Sequence, residues 1–189
     1  MIKCVKYSGK KTSSVELDKV NLIRDRVWVN VISPNEKELD KLKNKFKLYA
    51  RDLVDSLDEN EIPRLSTRDR YSFIVFRSLI GKNSVPVGIF LSKNFIITIH
   101  AKPLKPISTF FKIMFTSEGP EFFGRGIDFL FYKIVSEMNR NLHKDLNDFD
   151  DKLDAIEYKV LKNKMNNINE IFPLKKQISR YGRAISSNL

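Results

Sequence analysis

Two long amphipathic segments fill the last third of the chain, from about Ile127 to Ser187, and they constrain what the rest can fold into. The first carries Ile127, Phe131, Ile134, Met138, Leu142, Leu146, Phe149, Leu153, Ile156 and Val160. From Leu146 onward the steps alternate three and four, the heptad-like period that lines apolar side chains along one seam of a helix. The second carries Ile171, Leu174, Ile178, Tyr181 and Ile185 in the same rhythm. Between them, Asn163-Lys164-Met165-Asn166-Asn167 is a polar, Asn-rich break that favours a turn. The pattern predicts an antiparallel helical hairpin. A first arm of about 35 residues spans roughly 50 Å, more than a domain of this size covers. Its seam is therefore expected to be shared by something outside the chain.

The residues before this hairpin alternate between strand and helix patterns. Residues 2–8 and 12–17 are expected as short strands around Gly9-Lys10-Lys11. Val27-Trp28-Val29-Asn30-Val31-Ile32 is a clear strand, rich in β-branched and aromatic residues. Ser33 then reads as an N-cap, with Pro34 in the first helical position and Glu36 completing a capping box. The helix that follows places Leu39, Leu42 and Phe46 inward. A second helix, about Ala50 to Leu57, puts Leu53, Val54 and Leu57 on one face and Asp52, Asp55 and Asp58 around another. Pro63 to Thr67 is extended. Three strands follow, Tyr71 to Ile80, Val85 to Leu91 and Phe95 to His100, linked by turns short enough for hairpins. They are expected as the centre of an antiparallel sheet. Pro106 to about Phe115 forms an amphipathic helix with Ile107, Phe110, Phe111 and Met114, broken by Ser117-Glu118-Gly119-Pro120. Asp128 sits in the first turn of the long helix, where a carboxylate complements the helix dipole.

Strands interspersed with helices, then helices alone, point to the α+β class. The expected architecture is an α/β/α layered domain over residues 1–124 with a mainly antiparallel central sheet. Residues 125–189 form the long antiparallel helical hairpin. With 42% hydrophobic residues the chain has enough apolar material for a real core, and global disorder is excluded.

Several function classes lack their signatures. The glycines never fall in GxGxxG or Walker spacing, and no GxSxG, HExxH or CxxC occurs. His100 and His143 have no cysteine partners at zinc-ligand spacing, and His100, ending a strand, is expected to cap or pack. The lone Cys4 lies in an alternating strand, which fits a buried thiol and a reducing compartment. Catalysis is not expected. Met1-Ile2-Lys3-Cys4-Val5-Lys6 alternates with charge instead of building the apolar core of a signal peptide. No apolar run approaches the 18 or so residues of a membrane span.

A net charge of +11 invites a nucleic-acid partner. Its distribution speaks against one: residues 1–100 hold 19 Lys/Arg and 12 Asp/Glu, residues 101–189 hold 15 and 11. The excess is spread and interleaved, as on a solvated basic surface or one lying near an anionic membrane leaflet. Two acidic groups remain. Asp52, Asp55, Asp58, Glu59 and Glu61 surround the second short helix. Asp145, Asp148, Asp150, Asp151, Asp154 and Glu157 lie on the long helix, facing Lys175, Lys176, Arg180 and Arg183 of the second arm. Both are expected as helix surfaces on composition alone, although clustered hard oxygens suit Mg²⁺ or Ca²⁺.

A series of segments, in order, resembles the cytoplasmic domain of the CorA-type magnesium/cobalt transporter family. They are Trp28-Val29-Asn30-Val31, Asp55 with Ile62-Pro63-Arg64, Tyr71 to Arg77, Phe90 to His100, Asp128-Phe129-Leu130-Phe131-Tyr132, and Ile171-Phe172-Pro173-Leu174-Lys175-Lys176-Gln177. The resemblance implies an α/β/α domain followed by long helices, assembled as a homopentamer on the cytoplasmic face of the cell membrane. A further helix, two membrane spans and a Gly-Met-Asn signature belong to the family but not to this chain, which is thus expected to be a soluble fragment or a natural truncation. The resemblance implies regulatory and transported Mg²⁺, with Co²⁺ as a second ion. Asp55, eight positions before Pro63, matches the family aspartate that helps bind a divalent cation between subunits. Another acidic family position falls on Asn141, a neutral ligand at best. The alternatives are a zinc or other transition-metal transporter of the same superfamily, and a soluble basic nucleic-acid-binding protein.

Overall fold

The computed structural model describes residues 1–80 and 83–161, together with Pro173, Lys176, Ile178, Ser179, Tyr181 and Gly182. Alternation of apolar and polar residues is realised as seven strands: β1 (Ile2–Ser8), β2 (Lys11–Val15), β3 (Arg26–Ile32), β4 (Arg64–Thr67), β5 (Ser72–Ile80), β6 (Asn83–Leu91) and β7 (Phe95–His100). They form one sheet in the order β2-β1-β3-β7-β6-β5-β4. Every pairing is antiparallel except β3 with β7, which runs parallel with Trp28 opposite Ile96. The three expected hairpin strands are present. The middle of the sheet is β7, because β3 rather than a further hairpin covers its other edge. The two outer strands, β2 and β4, are short and largely polar, which blunts the edges.

Strand parity divides the core in two. Val27, Val29 and Val31 of β3 and Phe95, Ile97 and Ile99 of β7 face α1 (Glu36–Phe46) and α2 (Ala50–Asp55), where Leu42, Phe46 and Leu53 meet them. Trp28 and Ile96 point the other way, towards α3 (Lys105–Ile113), α4 (Gly119–Gly124) and α5 (Ile127–Leu161). β7 is buried at all of its positions, as expected for a strand covered on both faces. The architecture is α/β/α layered, within the α+β class.

Three local expectations are corrected. Ser33 takes φ 46°, which turns it out of the helix; the cap is Asn35. Asn35 Oδ1 accepts from the Glu38 amide at 2.9 Å and Glu38 Oε2 accepts from the Asn35 amide at 3.1 Å, so the capping box exists two residues later. Gly119-Pro120 starts α4 instead of only ending α3, since proline is well suited to a first helical turn. Within α5, Leu130 is fully buried where Phe131 was expected, and Phe131 packs partly buried beside it.

Helix α5 has 35 residues and opens after Gly126, whose φ of 110° makes the turn. Ile127, Leu130, Ile134, Met138 and Leu142 bury its first half against the sheet layer. Beyond them the described side chains Lys144, Asn147, Asp151, Asp154, Ala155 and Tyr158 are exposed. Pro173, Lys176, Ile178, Ser179, Tyr181 and Gly182 are helical. The Asn-rich turn, the antiparallel return of the hairpin and most of its charged facing residues fall outside the described residues. No helix among the described residues is long and apolar enough to cross a membrane.

On the α3–α5 face a chain of polar groups runs through the core. Trp28 Nε1 donates to Thr98 Oγ1 at 3.1 Å, Thr98 Oγ1 donates to the Asn30 carboxamide at 3.1 Å, and His100 Nε2 lies 3.0 Å from that carboxamide. His100 Nδ1 donates to the Lys102 carbonyl at 2.6 Å. Burial lowers the His100 pKa below the ordinary histidine value, against the opposing pull of the Lys102 carbonyl. His100 is thus a packed residue, not a surface base.

A depressed folded pKa means that the unfolded chain takes up the proton first, so stability falls as pH drops through about 6.5. Urea midpoints between pH 7.5 and pH 5 should decline more steeply for the natural chain than for His100→Asn. Equal slopes would contradict a neutral, buried His100.

Candidate functional site

Helix α2 is six residues long and carries two carboxylates one turn apart, Asp52 and Asp55. Helical geometry puts them on the same side, and that side is turned into the protein: Asp52 is 0% exposed and Asp55 4%. Val54, expected inward, is 62% exposed instead. The reason lies across the edge of the sheet. In a strand, residues two apart share a face, and β4 turns Arg64 and Ser66 towards α2 while Leu65 and Thr67 point away. Arg68 follows on the same side just beyond the strand. Two acids one helical turn apart therefore meet two arginines four residues apart in extended chain.

Asp52 forms the deeper pair. Arg68 Nη2 and Nε donate to its two carboxyl oxygens at 2.7 and 3.1 Å, a bidentate fork. The Tyr71 hydroxyl donates to Asp52 Oδ2 at 2.8 Å and accepts from the Tyr49 amide at 2.9 Å. Burial pushes the Tyr71 phenol up to about 12, with the adjacent Asp52 carboxylate adding to the rise. The Arg68 guanidinium also sits over the Tyr49 ring at 5.5 Å.

Asp55 is held by two arginines. Arg64 Nη2 donates to Oδ2 at 2.5 Å and Arg51 Nε donates to Oδ1 at 3.2 Å. Arg64 does more than close this pair. Its Nε donates to Glu61 Oε1 at 2.9 Å and its Nη1 to Ser66 Oγ at 3.1 Å. Its guanidinium is therefore surrounded by three oxygen acceptors, from Asp55, Glu61 and Ser66. The Phe73 ring lies 5.3 Å below it. Glu61 is positioned in turn by Arg77 Nη1, which donates to the Glu59 and Glu61 carbonyls at 2.8 and 2.9 Å.

Hard oxygens of this kind suit Mg²⁺. The centre between them is taken by a side chain of the chain itself. Among the described residues no group of three or more His, Cys, Asp and Glu could hold a metal ion.

The family model described as "CorA-like Mg2+ transporter protein" matches residues 24–189, most of the chain. The chain belongs to the CorA-like family. A cobalt/magnesium transport protein CorA from Methanocaldococcus jannaschii is 29% identical over 166 residues, covering 86% of this chain and 52% of that protein. The chain spans about half the length of the curated relative it matches. The soluble domain of CorA from the same organism has a TM-score of 0.84 at 27% identity, covering 98% of this chain and 75% of that one. Its complete CorA magnesium transporter has a TM-score of 0.85 at 26% identity, covering 100% of this chain and 60% of that one.

In this CorA-like chain the structure gathers Asp55 and Glu61 around Arg64 and pairs Asp52 separately with Arg68 and Tyr71. Asp58 turns to its own loop, its Oδ1 accepting from the Asn60 amide at 2.9 Å. Asn141 lies half-buried on α5. Asp151 and Asp154 of the long acidic stripe are exposed; Asp145, Asp148, Asp150 and Glu157 have side chains outside the described residues. Composition did not single out Arg64, Arg68 or Tyr71. The signal available was the matching spacing of Asp52/Asp55 with Arg64/Arg68 on elements of different period.

The seat of α2 is also narrow. A Cβ at Gly88 of β6 would lie 2.0 Å from Ser56 Oγ and 2.4 Å from Ser56 Cβ, at the end of α2. Gly88→Ala should cost about 1–3 kcal/mol in urea unfolding, and Ser56→Gly in the same chain should recover part of it. Strictly additive losses would contradict the close approach.

Proposed function

We propose that this chain is the cytoplasmic regulatory domain of a divalent-cation transporter carrying Mg²⁺ or Co²⁺, working as a homopentamer at the inner face of the membrane. Likeness along the whole chain to the soluble domain of a CorA transporter carries this reading. Residues 1–124 form the sensing domain and residues 125–189 the lever that leads towards the pore. The exposed side chains described on the second half of α5, Lys144, Asn147, Asp151, Asp154 and Tyr158 among them, suit a helix that acts on structure beyond its own domain.

Regulation is assigned to the boundary between subunits, at Asp55. Exposed apolar residues stand next to the cluster in sequence: Val54 beside Asp55, and Ile62 and Leu65 on either side of Arg64, at 62%, 69% and 67% exposure. Such side chains suit coverage by a neighbouring subunit. A cation held between carboxylates of adjacent subunits offsets their repulsion and favours the symmetric, closed arrangement; depletion releases it. The extent of the shift is set by the ion's differential affinity for the two arrangements.

Cells lacking their own Mg²⁺ uptake and carrying the whole gene should grow at limiting Mg²⁺. Asp55→Ala should raise the internal Mg²⁺ level at which uptake stops. Absence of Mg²⁺ and Co²⁺ uptake would contradict a transporter. Uptake with unchanged sensitivity to internal Mg²⁺ would contradict the assignment of Asp55.

A further inference from the structure

Over much of the molecule basic residues are answered by acids. Arg51, Arg64 and Arg68 pair with Asp55 and Asp52, and the wide cleft along β1 and β2 sets Lys3, Lys41 and Lys112 beside Glu16, Asp18 and Glu38. One end of the sheet breaks this pattern. A smaller cleft of about 200 Å³ lies between the C-terminal end of α1 and the turn joining β6 to β7. Lys45, Lys47, Arg70 and Lys93 line it, with no acid among its described lining residues. Among the described residues Lys47, Arg70 and Lys93 form no ion pair with a carboxylate. Asp69 lines an adjoining recess that Lys47 and Arg70 also border.

The fold fixes the walls of this cleft. Its floor is the edge-on pair of Phe46 and Phe95, both buried, with ring centroids 5.0 Å apart. Ser92 Oγ donates to the Arg70 carbonyl at 2.8 Å and Asn94 Nδ2 donates to the Leu22 carbonyl at 2.9 Å, which ties three loops around it. Lys47 ends α1 with φ 56°, a left-handed conformation in which glycine is the usual residue. The chain carries a cation there in spite of that strain. Lys43 and Lys45 offset the negative end of the α1 dipole, and Lys45 Nζ donates to the Asp18 carbonyl at 3.0 Å. Lys47, Arg70 and Lys93 are the cations left for a ligand.

A recess lined by one sign of charge over apolar walls focuses its field on an ion of the opposite sign. Arginine meets phosphate oxygens through a planar fork and lysine as a point charge. Clefts that enclose an organic ligand run to roughly 300–1,000 Å³, so this smaller volume suits a compact anion. We propose that the cleft binds a phosphate group, that of a small soluble anion such as orthophosphate or pyrophosphate. An anionic lipid presents the same chemistry, but these cations converge on a recess instead of spreading over a flat face, which favours the soluble source.

The chain is titrated with pyrophosphate and with orthophosphate by calorimetry, and its urea midpoint is followed, at ionic strength held constant with KCl. Saturable binding is expected, with a raised midpoint because the ligand binds only the folded state. Arg70→Gln combined with Lys93→Gln should weaken binding by about tenfold or more. Lys47→Gly should unfold at the same or higher urea without ligand, because glycine accepts the left-handed turn, yet bind more weakly. Its loss of binding is then not a loss of folding. Lys3→Gln combined with Lys112→Gln removes the same charge from the wide cleft and should bind as the natural chain does.

Equal weakening by the Lys3 and Lys112 changes would mean diffuse attraction to a basic protein and would overturn the site. Absence of saturable binding to either anion, or binding undiminished in Lys47→Gly and in the Arg70 and Lys93 double variant, would overturn it as well. Binding to phosphatidylcholine vesicles containing phosphatidic acid, with none to pyrophosphate or orthophosphate, would overturn the soluble source.

Discussion

Two buried carboxylates on a six-residue helix have to be neutralised, and the way this is done shapes one whole edge of the molecule. Asp52 and Asp55 cannot face water, because Leu53 and Ser56 pull α2 onto β6 at Gly88. Leaving either charge unpaired in that position would cost several kcal/mol. Arg68 and Arg64 supply the counter-charges from the flanks of β4, and so β4 turns its polar residues inward and leaves Leu65 outside. An outer strand that presents guanidinium groups to a helix is the consequence of α2, not of β4's own preferences.

The other face of the sheet meets a similar demand with neutral groups. Trp28, Asn30, Thr98 and His100 stand on the parallel β3–β7 pair, in a layer otherwise closed by Phe110, Phe111 and the first half of α5. Trp28 packs edge-on against Phe111 at 4.9 Å and donates its indole N–H into the polar chain. The long helix is thereby anchored at its beginning on this layer, and beyond Leu142 its described side chains are exposed. The charged cluster and the start of α5 lie on opposite faces of one sheet.

Much of this layout was legible from residue patterns. Alternation located the strands, and the three-four spacing gave the extent of α5, because burial on a pleated or helical surface leaves a period. The parallel neighbour of β7 was not legible, since pairing between distant strands leaves no local mark. The cap at Asn35 was displaced because Ser33 offers an equally good pattern until its backbone turns left-handed. Asp52 and Asp55 were placed on a surface because carboxylates are almost always exposed. Arg64 and Arg68, which pair with them from across the sheet edge, lie nine and sixteen residues away, in and just beyond a strand. Asp55 itself was reached through family resemblance, and Arg64 stood within the segment quoted for that resemblance without its part being visible.

The coupling between Asp55 and Arg64 is the quantity on which these relations turn. A double-mutant cycle in EDTA, with Asp55→Asn, Arg64→Gln and the two combined, measures it by urea unfolding without any metal present. Residues joined in one such network couple by about 0.5–3 kcal/mol, and a favourable coupling within that range is expected here. Losses that simply add would mean that Arg64 does not neutralise Asp55 in the folded chain, and would contradict the pairing around which this edge of the protein is built.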